Sequence, residues 1–331
     1  MSNQNKVAII FTGGTISMKI DPRLHAAIPS LSSKDIIGML TNIEDFSEIE
    51  VIDYANVPSP HITPSMMMEI GELVKKTIVR DDITGVIVTH GTDTLEETAY
   101  LLDLIIHTDK PVVVVGAMRN SSELGYDGSS NLSAALCTAI SKNAKNKGVL
   151  VVMNNEVNAA SEVTKTNTLS LDTFKSPEFG PLGIVDNDQV IFYRDIVSHQ
   201  FIDTDNIEEK VALIKSVPGM ESDIFDFYLE SGYKGIVIES MGRGNIPPAM
   251  VPGVKKAISQ NIPVVMVSRC PTGRVLDSYG YEGGGKHLRE LGVIFGGNLP
   301  GQKIRIKLML ALGLTKDMVK VKEIIEQNLF I

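Results

Sequence analysis

The chain has 331 residues, of which 43% are hydrophobic, so it can bury a sizeable core and, at ordinary domain sizes, form two domains. Its 31 basic and 40 acidic side chains give a net charge of −9, spread without an acidic block or a basic stripe. This balance argues against nucleic acid as a partner and favours a small-molecule substrate.

The cysteines and the apolar runs indicate the cellular setting. Cys137 and Cys270 lie far apart and outside any CxxC pair, so neither a structural zinc site nor a disulfide framework is expected. The polar segment 1–6 leads directly into a short apolar strand and leaves no room for a signal peptide. The longest apolar runs fall far short of the roughly 20 residues that a membrane span needs. We therefore expect a cytoplasmic protein without a membrane partner.

The first half of the chain alternates short apolar runs with segments of helical spacing. The runs predict buried strands at residues 6–11, 49–54, 85–89, 111–116 and 148–153. The spacing predicts helices at residues 65–80, 94–107 and 131–142. Such alternation is typical of a mostly parallel sheet with helices on both faces.

The polar, irregular stretch 186–205 interrupts this alternation. Beyond it, strands are predicted at residues 210–215, 235–239, 263–268 and 292–295, and helices at residues 223–231, 250–260, 302–312 and 315–328. We therefore expect an N-terminal α/β domain over residues 1–195, a linker over 196–209 and a smaller C-terminal α/β domain over 210–331.

Four turns that directly follow predicted strands carry chemically useful groups. They span residues 12–16, 58–60, 90–94 and 116–119. Ligands bind at the carboxyl ends of the strands in an open parallel sheet. The sequence therefore predicts one cleft that gathers Thr15, Ser59, Thr92, Asp93 and Ala117.

The turn Thr12-Gly13-Gly14-Thr15 follows the first strand. Its paired glycines allow a sharp turn and a close approach to a ligand, with the Thr15 hydroxyl at the rim. An ordinary glycine turn with a helix-capping threonine would fit the same residues. The spacing is not that of a phosphate or dinucleotide loop, so we expect no nucleotide cofactor.

The segment from His90 to Glu97 passes from strand to helix, and Thr94 with Glu97 fits a capping box. Capping leaves Thr92 and Asp93 unexplained. A hydroxyl beside a carboxylate at a helix N-terminus suits amine binding and proton transfer. We expect His90 to be structural, because the strand register does not direct it to the cleft.

Three further segments have ordinary interpretations on pattern alone. The polar stretch 163–168 predicts a solvated loop with Lys165 on the surface. If Lys165 instead lies beside Asp93, burial would favour the neutral amine of Lys165, whereas the carboxylate would favour its ammonium form. The turn 241–245 is weak evidence of more than a tight turn. The segment 279–285 predicts a mobile loop from which Glu282 could supply a carboxylate.

Several motifs taken together resemble bacterial-type L-asparaginases. They are TGGTI at 12–16, THGTDT at 89–94 followed by LEETAY, VGAMR at 115–119, GVLVVMN at 148–154 and VTKTNT at 163–168. TFKSPEFGPLG at 173–183 and SRCPTG at 268–273 are similar to the asparaginase and glutaminase-asparaginase group. The resemblance covers nearly the whole chain. The expected fold is α/β, with a larger flavodoxin-like N-terminal domain and a smaller Rossmann-like C-terminal domain.

The resemblance implies hydrolysis of L-asparagine to L-aspartate and ammonia through an acyl-enzyme on Thr15. It implies that Thr92, Asp93 and Lys165 complete the catalytic set, without a metal or a cofactor. The resemblance also implies which residues bind the substrate: Gly14, Ser59, Thr92, Asp93, Ala117, Asn245 and Glu282. In that group Ser59 would hold the α-carboxylate, Asp93 the α-amine, and donors around Thr92 and Ala117 the oxyanion. The family further implies a homotetramer built from dimers, in which a neighbouring subunit could lend Glu282.

The sequence also departs from the family pattern. Many members have a tyrosine in the loop after TGGTI, whereas residues 17–33 contain none. Ala27 stands near the expected position, and His25 is the nearest polar substitute. Pro60 follows Ser59 where the secreted type has glutamine.

Three alternatives stay open beside an L-asparaginase. One is a glutaminase-asparaginase of mixed specificity that also accepts L-glutamine. Another is the asparaginase-like subunit of a tRNA-dependent amidotransferase, which has an extra domain before its TGGTI-like motif; with that motif at Thr12 we expect no such domain here. The third is a non-catalytic amino-acid-binding protein, against which Thr15, Thr92 and Lys165 argue, because binding alone needs no such set.

Overall fold

The computed structural model describes residues 6–40, 48–197 and 199–327. Segment 1–5, Ser198 of the expected linker and the expected helix end at Asn328 lie outside these residues. The chain divides into two compact units between Phe201 and Ile202. That point lies inside the expected linker 196–209, and the domain bounds stay a prediction.

The first unit is built on an eight-stranded sheet. The strands of this unit, of which β2, β3, β9 and β10 lie outside the eight-stranded sheet, are β1 (Lys6–Gly13), β2 (Met18–Asp21), β3 (Ala26–Pro29), β4 (Glu48–Val57), β5 (Gly85–Thr89), β6 (Val112–Val115), β7 (Val149–Met153), β8 (Glu156–Ala159), β9 (Thr164–Lys165), β10 (Phe174–Lys175), β11 (Gly183–Asp186) and β12 (Gln189–Phe192). The helices are α1 (Ser33–Gly38), α2 (Pro64–Ile78), α3 (Leu95–Ile105) and α4 (Gly128–Ile140).

The strand order is β12-β11-β8-β7-β6-β5-β1-β4. The five strands from β7 to β4 run parallel, while β8, β11 and β12 join antiparallel at one side. β2 pairs with β3 as a hairpin, and β9 pairs with β10. The inner parallel strands are largely apolar, such as VVVV in β6, because both of their faces are buried, whereas the edge strand β4 is partly exposed and alternates with charged residues.

The second unit has a four-stranded parallel sheet in the order β13-β14-β15-β16. These strands are β13 (Val211–Lys215), β14 (Gly235–Ser240), β15 (Val264–Ser268) and β16 (Ile294–Phe295). Its helices are α5 (Asp223–Glu230), α6 (Val251–Ser259), α7 (Gly285–Leu291), α8 (Gly301–Leu314) and α9 (Met318–Glu326). The core of this unit includes Phe225, Ile236 and Val264, all fully buried.

The expected fold class is confirmed, since a larger, mostly parallel sheet is followed by a smaller parallel one. Every strand and helix predicted from the sequence is present within a few residues. The sequence missed α1, α7, the β2–β3 hairpin and strands β8 to β12, which are short or polar. Among the helices of the described residues, none is long and apolar enough to cross a membrane.

Candidate active site

The end of β1 and the turn that follows it carry two threonines in different environments. Thr12 is buried, and its hydroxyl donates to the Thr89 carbonyl at 2.7 Å, which ties β1 to β5. Gly13 and Gly14 have φ angles of 106° and 86°, in the left-handed region that favours glycine. Thr15 is half-buried, and its hydroxyl has no hydrogen-bond partner among the described residues. Thr12 is therefore structural, and Thr15 is available for chemistry.

Two glycines let the turns after β1, β4 and β5 come together. A Cβ atom on Gly14 would lie 2.3 Å from the Gly91 backbone, and one on Gly91 would lie 2.8 Å from the Ser59 Cβ. Contacts this short exist only because neither residue has a side chain. Thr15 and Thr92 directly follow these glycines. The two threonines are thus carried by backbones in contact.

Ser59 contacts the start of α3. Its hydroxyl oxygen accepts from the Asp93 N–H at 3.2 Å, and its carbonyl accepts from the Thr94 hydroxyl at 3.0 Å. The Thr94 side chain makes no capping hydrogen bond to α3, so the predicted capping box with Glu97 is wrong. The Thr94 side chain is instead directed to the Ser59 carbonyl across the turns.

His90 is structural, as expected. It is fully buried; Nδ1 contacts the Gly91 carbonyl at 2.8 Å and Nε2 contacts the Thr98 hydroxyl at 2.8 Å. A carbonyl can only accept, so Nδ1 carries the proton and Nε2 accepts from Thr98. Burial lowers the pKa of His90 to about 4, which keeps the ring neutral at physiological pH.

Lys165 reaches the same edge from the two-stranded sheet of β9 and β10. Its Nζ atom donates to Asp93 Oδ1 at 2.7 Å and to Thr92 Oγ1 at 3.0 Å. Only 16% of its side chain is exposed, so the solvated surface loop that the polar stretch alone predicts is not found. Local pattern misses β9 because the strand has two residues and is defined by its pairing with β10.

Glu96 is a buried acid that the sequence analysis missed. It is 5% exposed, and its Oε1 atom accepts from the Thr164 hydroxyl at 3.1 Å and from the Lys165 N–H at 3.3 Å. Its Oε2 atom has no partner among the described residues. Glu96 thus anchors the strand that carries Lys165. Acidic residues are ordinary in the first turn of a helix, and Glu97 stands beside Glu96, so the sequence carries no signal that Glu96 is buried.

The turn after β6 lies beside Thr92. A Cβ atom on Gly116 would be 3.3 Å from the Thr92 Cγ2 atom. Ala117 is fully buried. The Ala117 and Thr92 N–H groups donate no hydrogen bond within the described residues. Two backbone donors are therefore available near the threonines.

The loop after the Thr15 turn is the β2–β3 hairpin, and it places His25 at the tip. The hairpin closes at its base on the Ser17 carbonyl, which accepts from the Ser30 and Leu31 N–H groups at 3.0 and 2.9 Å. His25 lies beyond the last pair of the hairpin, four residues or more from that base. At a strand rise of about 3.3 Å per residue, this is roughly 13 Å along the hairpin. The expectation that His25 replaces the loop tyrosine stays a prediction.

Asn245 and Glu282 belong to the second unit. The Tyr281 hydroxyl donates to Asn245 Oδ1 at 3.0 Å, and the Ile246 N–H donates to the Gly283 carbonyl at 2.9 Å. The turn 241–245 and the segment around Glu282 therefore lie together. The Glu282 side chain is exposed. Their part in substrate binding stays a prediction.

Within residues 6–40, 48–197 and 199–327, no three His, Cys, Asp or Glu side chains are grouped to hold a metal ion. What the first unit gathers instead is two hydroxyls, a carboxylate and an ammonium group at the carboxyl edge of a parallel sheet. Hydroxyls beside a carboxylate and an ammonium group at such an edge are an arrangement typical of α/β enzymes that act on small molecules.

Comparison with known proteins identifies the family. The model of the asparaginase N-terminal domain matches residues 6–198, and the model of the glutaminase/asparaginase C-terminal domain matches residues 210–325. The chain belongs to the asparaginase family, which confirms the resemblance in the sequence and supports amide hydrolysis as the activity.

Similar proteins cover nearly the whole chain. An L-asparaginase of Bacillus licheniformis is 34% identical over 317 residues, which are 96% of this chain and 98% of that protein. A glutamyl-tRNA(Gln) amidotransferase subunit from Methanobrevibacter smithii is 32% identical over 99% of this chain and 76% of its own length. The crystal structure of a probable cytoplasmic L-asparaginase from Campylobacter jejuni has a TM-score of 0.87 at 34% identity, covering 97% of this chain and 99% of that one.

Proposed function

We propose that the chain hydrolyses L-asparagine to L-aspartate and ammonia, with Thr15 as the nucleophile. The single observation that carries the proposal is the contact of Lys165 Nζ with both Thr92 and Asp93, on a turn whose backbone touches the turn that carries Thr15. A threonine hydroxyl is a weak nucleophile by itself and needs a neighbouring group that handles its proton. The L-asparaginases similar to this chain support the choice of substrate.

The substrate's backbone groups fit the hydrogen bonds left open at Ser59 and Asp93. The Ser59 oxygen already accepts from the Asp93 N–H, so its own proton can be donated to an α-carboxylate. Asp93 Oδ1 accepts from Lys165, while Oδ2 has no partner among the described residues and can accept from an α-amine. Asn245 and Glu282, the latter from a neighbouring subunit, stay in the proposed substrate-binding set on the strength of the family resemblance.

The first step forms an ester and releases ammonia. The Thr15 oxygen attacks the side-chain carbonyl carbon, a C–O bond forms, and the C–N bond breaks. The Thr92 oxygen accepts the Thr15 proton while the Thr92 proton passes to the leaving nitrogen, so that ammonia departs neutral. Lys165 occupies one lone pair of the Thr92 oxygen at 3.0 Å and thereby fixes the other for this relay.

The second step reverses the relay with water as the nucleophile. Water attacks the ester carbon, its proton passes to Thr92, and the Thr92 proton returns to the Thr15 oxygen as the ester C–O bond breaks. In both steps the developing oxyanion is stabilised by the Ala117 and Thr92 N–H groups, which donate to no described residue.

The test is ammonia release from L-asparagine and L-glutamine. Wild type is expected to turn over L-asparagine, and Thr15→Ala and Thr92→Ala are expected to lose at least a hundredfold in kcat. Thr77→Ala is the matched control, because its buried hydroxyl donates only within α2, to the Leu73 carbonyl at 2.7 Å. Substantial activity in Thr15→Ala would remove that residue as nucleophile. An inactive wild type that binds L-asparagine would instead be an amino-acid-binding protein.

The same assay decides between a strict and a mixed specificity. L-Glutamine is longer by one methylene, which a pocket discriminates by only about 1–3 kcal/mol. Equal kcat/KM for both amides would make the chain a glutaminase-asparaginase.

We further propose a metal-free and cofactor-free homotetramer, built from dimers, in the cytoplasm. The similarity to a probable cytoplasmic L-asparaginase supports the location. A monomer in light scattering would contradict the assembly. Loss of activity on dialysis against EDTA would contradict the metal-free site.

A further inference from the structure

Two consecutive residues before α4 contact two different turns of the proposed site. The Tyr126 hydroxyl donates to the Ile16 carbonyl at 2.8 Å, and Ile16 directly follows Thr15. The Asp127 carboxylate accepts from the Met118 N–H at 3.0 Å and from the Arg119 N–H at 2.9 Å. Those amides directly follow Ala117. One dipeptide therefore links the nucleophile's turn to the turn of the proposed oxyanion donor.

Asn131, one helical turn further on, fixes the direction of the Ala117 N–H. Its Nδ2 atom donates to the Gly116 carbonyl at 3.1 Å and to Asp127 Oδ2 at 2.9 Å. The Gly116 carbonyl and the Ala117 N–H belong to one trans peptide group, so they point in opposite directions. A carbonyl held toward α4 therefore directs the Ala117 N–H away from that helix.

The loop that ends at Tyr126 also holds the hairpin after the Thr15 turn. Both the N–H and the hydroxyl of Ser121 donate to the Met18 carbonyl, at 3.1 and 2.9 Å. The Ile20 N–H donates to the Ser122 hydroxyl at 3.1 Å. The first strand of the hairpin is thus bonded along its length to this loop, and Tyr126 makes the bond nearest Thr15.

The Tyr126 hydroxyl is suited to a fixed donor role. A Cβ atom on Gly128 would lie 2.2 Å from it, so the ring occupies space that only glycine leaves open. Burial, with a smaller contribution from Asp127, raises the pKa of Tyr126 to about 12. The hydroxyl therefore stays protonated through neutral pH.

We propose that Tyr126 and Asp127 are positioning residues that fix the Thr15 hydroxyl relative to the Ala117 N–H. This inference rests on the proposed function. Thr15 and Ala117 follow β1 and β6, which are separated in the sheet by β5, so their spacing needs a link of its own. An attacking oxygen misplaced by a fraction of an ångström lowers the rate of the chemical step more than it weakens binding. Within the described residues, Ser59 and Asp93, which are proposed to hold the substrate's backbone, make no hydrogen bond to the pair.

The test is Tyr126→Phe, which removes one hydroxyl and keeps the ring. We expect kcat for L-asparagine to fall about tenfold, the scale of one lost hydrogen bond, with KM changed less than about twofold. Asp127→Asn, which keeps one acceptor oxygen, is expected to lose less kcat than Asp127→Ala. The matched control is Tyr54→Phe, which removes a hydroxyl that donates to Glu69 at 2.6 Å. It should keep the wild-type kcat.

Hydrogen exchange provides a readout that does not need activity. Backbone amides of residues 14–20 should exchange about tenfold faster in Tyr126→Phe than in wild type or Tyr54→Phe. A wild type that releases no ammonia would overturn the proposed function, whereas unchanged exchange in Tyr126→Phe would overturn the link itself. Faster exchange with wild-type kcat, or a higher KM with unchanged kcat, would overturn the positioning role.

Discussion

From the contact between Gly14 and Gly91 we predict how much a side chain at Gly14 would lower the free energy of unfolding. In Gly14→Ala the new Cβ atom would lie 2.3 Å from the Gly91 backbone, which cannot rotate away as a side chain can. The backbone of Gly14, with a φ angle of 86° and a ψ angle of −175°, lies in a region essentially restricted to glycine, which adds about 1–3 kcal/mol, and overpacking adds about 1–3 kcal/mol. The free energy of unfolding should therefore fall by about 2–6 kcal/mol.

Gly180→Ala provides a comparison at a positive φ angle without a steric contact. Gly180 has a φ angle of 72° with no atom within 4 Å of an added Cβ, so only the backbone penalty of about 1–2 kcal/mol applies. Both variants are compared with wild type in urea titrations followed by far-ultraviolet circular dichroism. If Gly14→Ala is no more destabilising than Gly180→Ala, the reasoning that the two turns are in backbone contact is refuted.

Three further predictions concern buried groups. Glu96→Ala should lower the free energy of unfolding by about 1–3 kcal/mol and should also lower kcat, because Thr164 and Lys165 lose a buried acceptor. Glu96→Gln keeps an acceptor oxygen and should retain more stability and more activity. Equal losses in the two variants would contradict this role of Glu96. The pKa of His90 is about 4 in the folded protein and near 6.5 in the unfolded chain. The neutral ring therefore stabilises the fold above pH 6.5, and about 3 kcal/mol of unfolding free energy is lost as the pH falls to 4. In His90→Gln the unfolding free energy should depend less on pH over this range. Burial lowers the pKa of Lys307 to about 7 in the folded protein, although its amine group can donate to the Ile325 and Gln327 carbonyls. Between pH 7 and about 10.4 the unfolded chain binds the proton more readily, so the free energy of unfolding should rise with pH. This rise should be absent in Lys307→Met.

The buried parallel strands were predictable because their stability is encoded locally. Continuous apolar runs such as VVVV in β6 have no other stable place than a sheet covered on both faces. The short elements were not predictable in this way. β9 has two residues and exists only through its pairing with β10, and the β2–β3 hairpin has a mixed, partly exposed pattern.

Part of the candidate site was predictable from the rule that ligands bind at the carboxyl ends of parallel strands. That rule selects Thr15, Ser59, Thr92 and Asp93 because the carboxyl ends of parallel strands meet at one edge. It does not select Lys165, which reaches the edge from a separate two-stranded sheet. Nor does it find Glu96 or Tyr126, whose roles depend on hydrogen bonds to segments that are distant in the sequence.

In the proposed mechanism Thr15, rather than Thr92, carries the acyl group. Thr92 is the threonine in contact with Lys165, so the assignment needs a direct test. Wild type is mixed with L-asparagine, quenched in acid within the first turnover, digested and mapped by mass spectrometry. We expect an aspartyl ester on the peptide that contains Thr15. An ester on the peptide that contains Thr92, or no ester on either at any quench time, would contradict the mechanism.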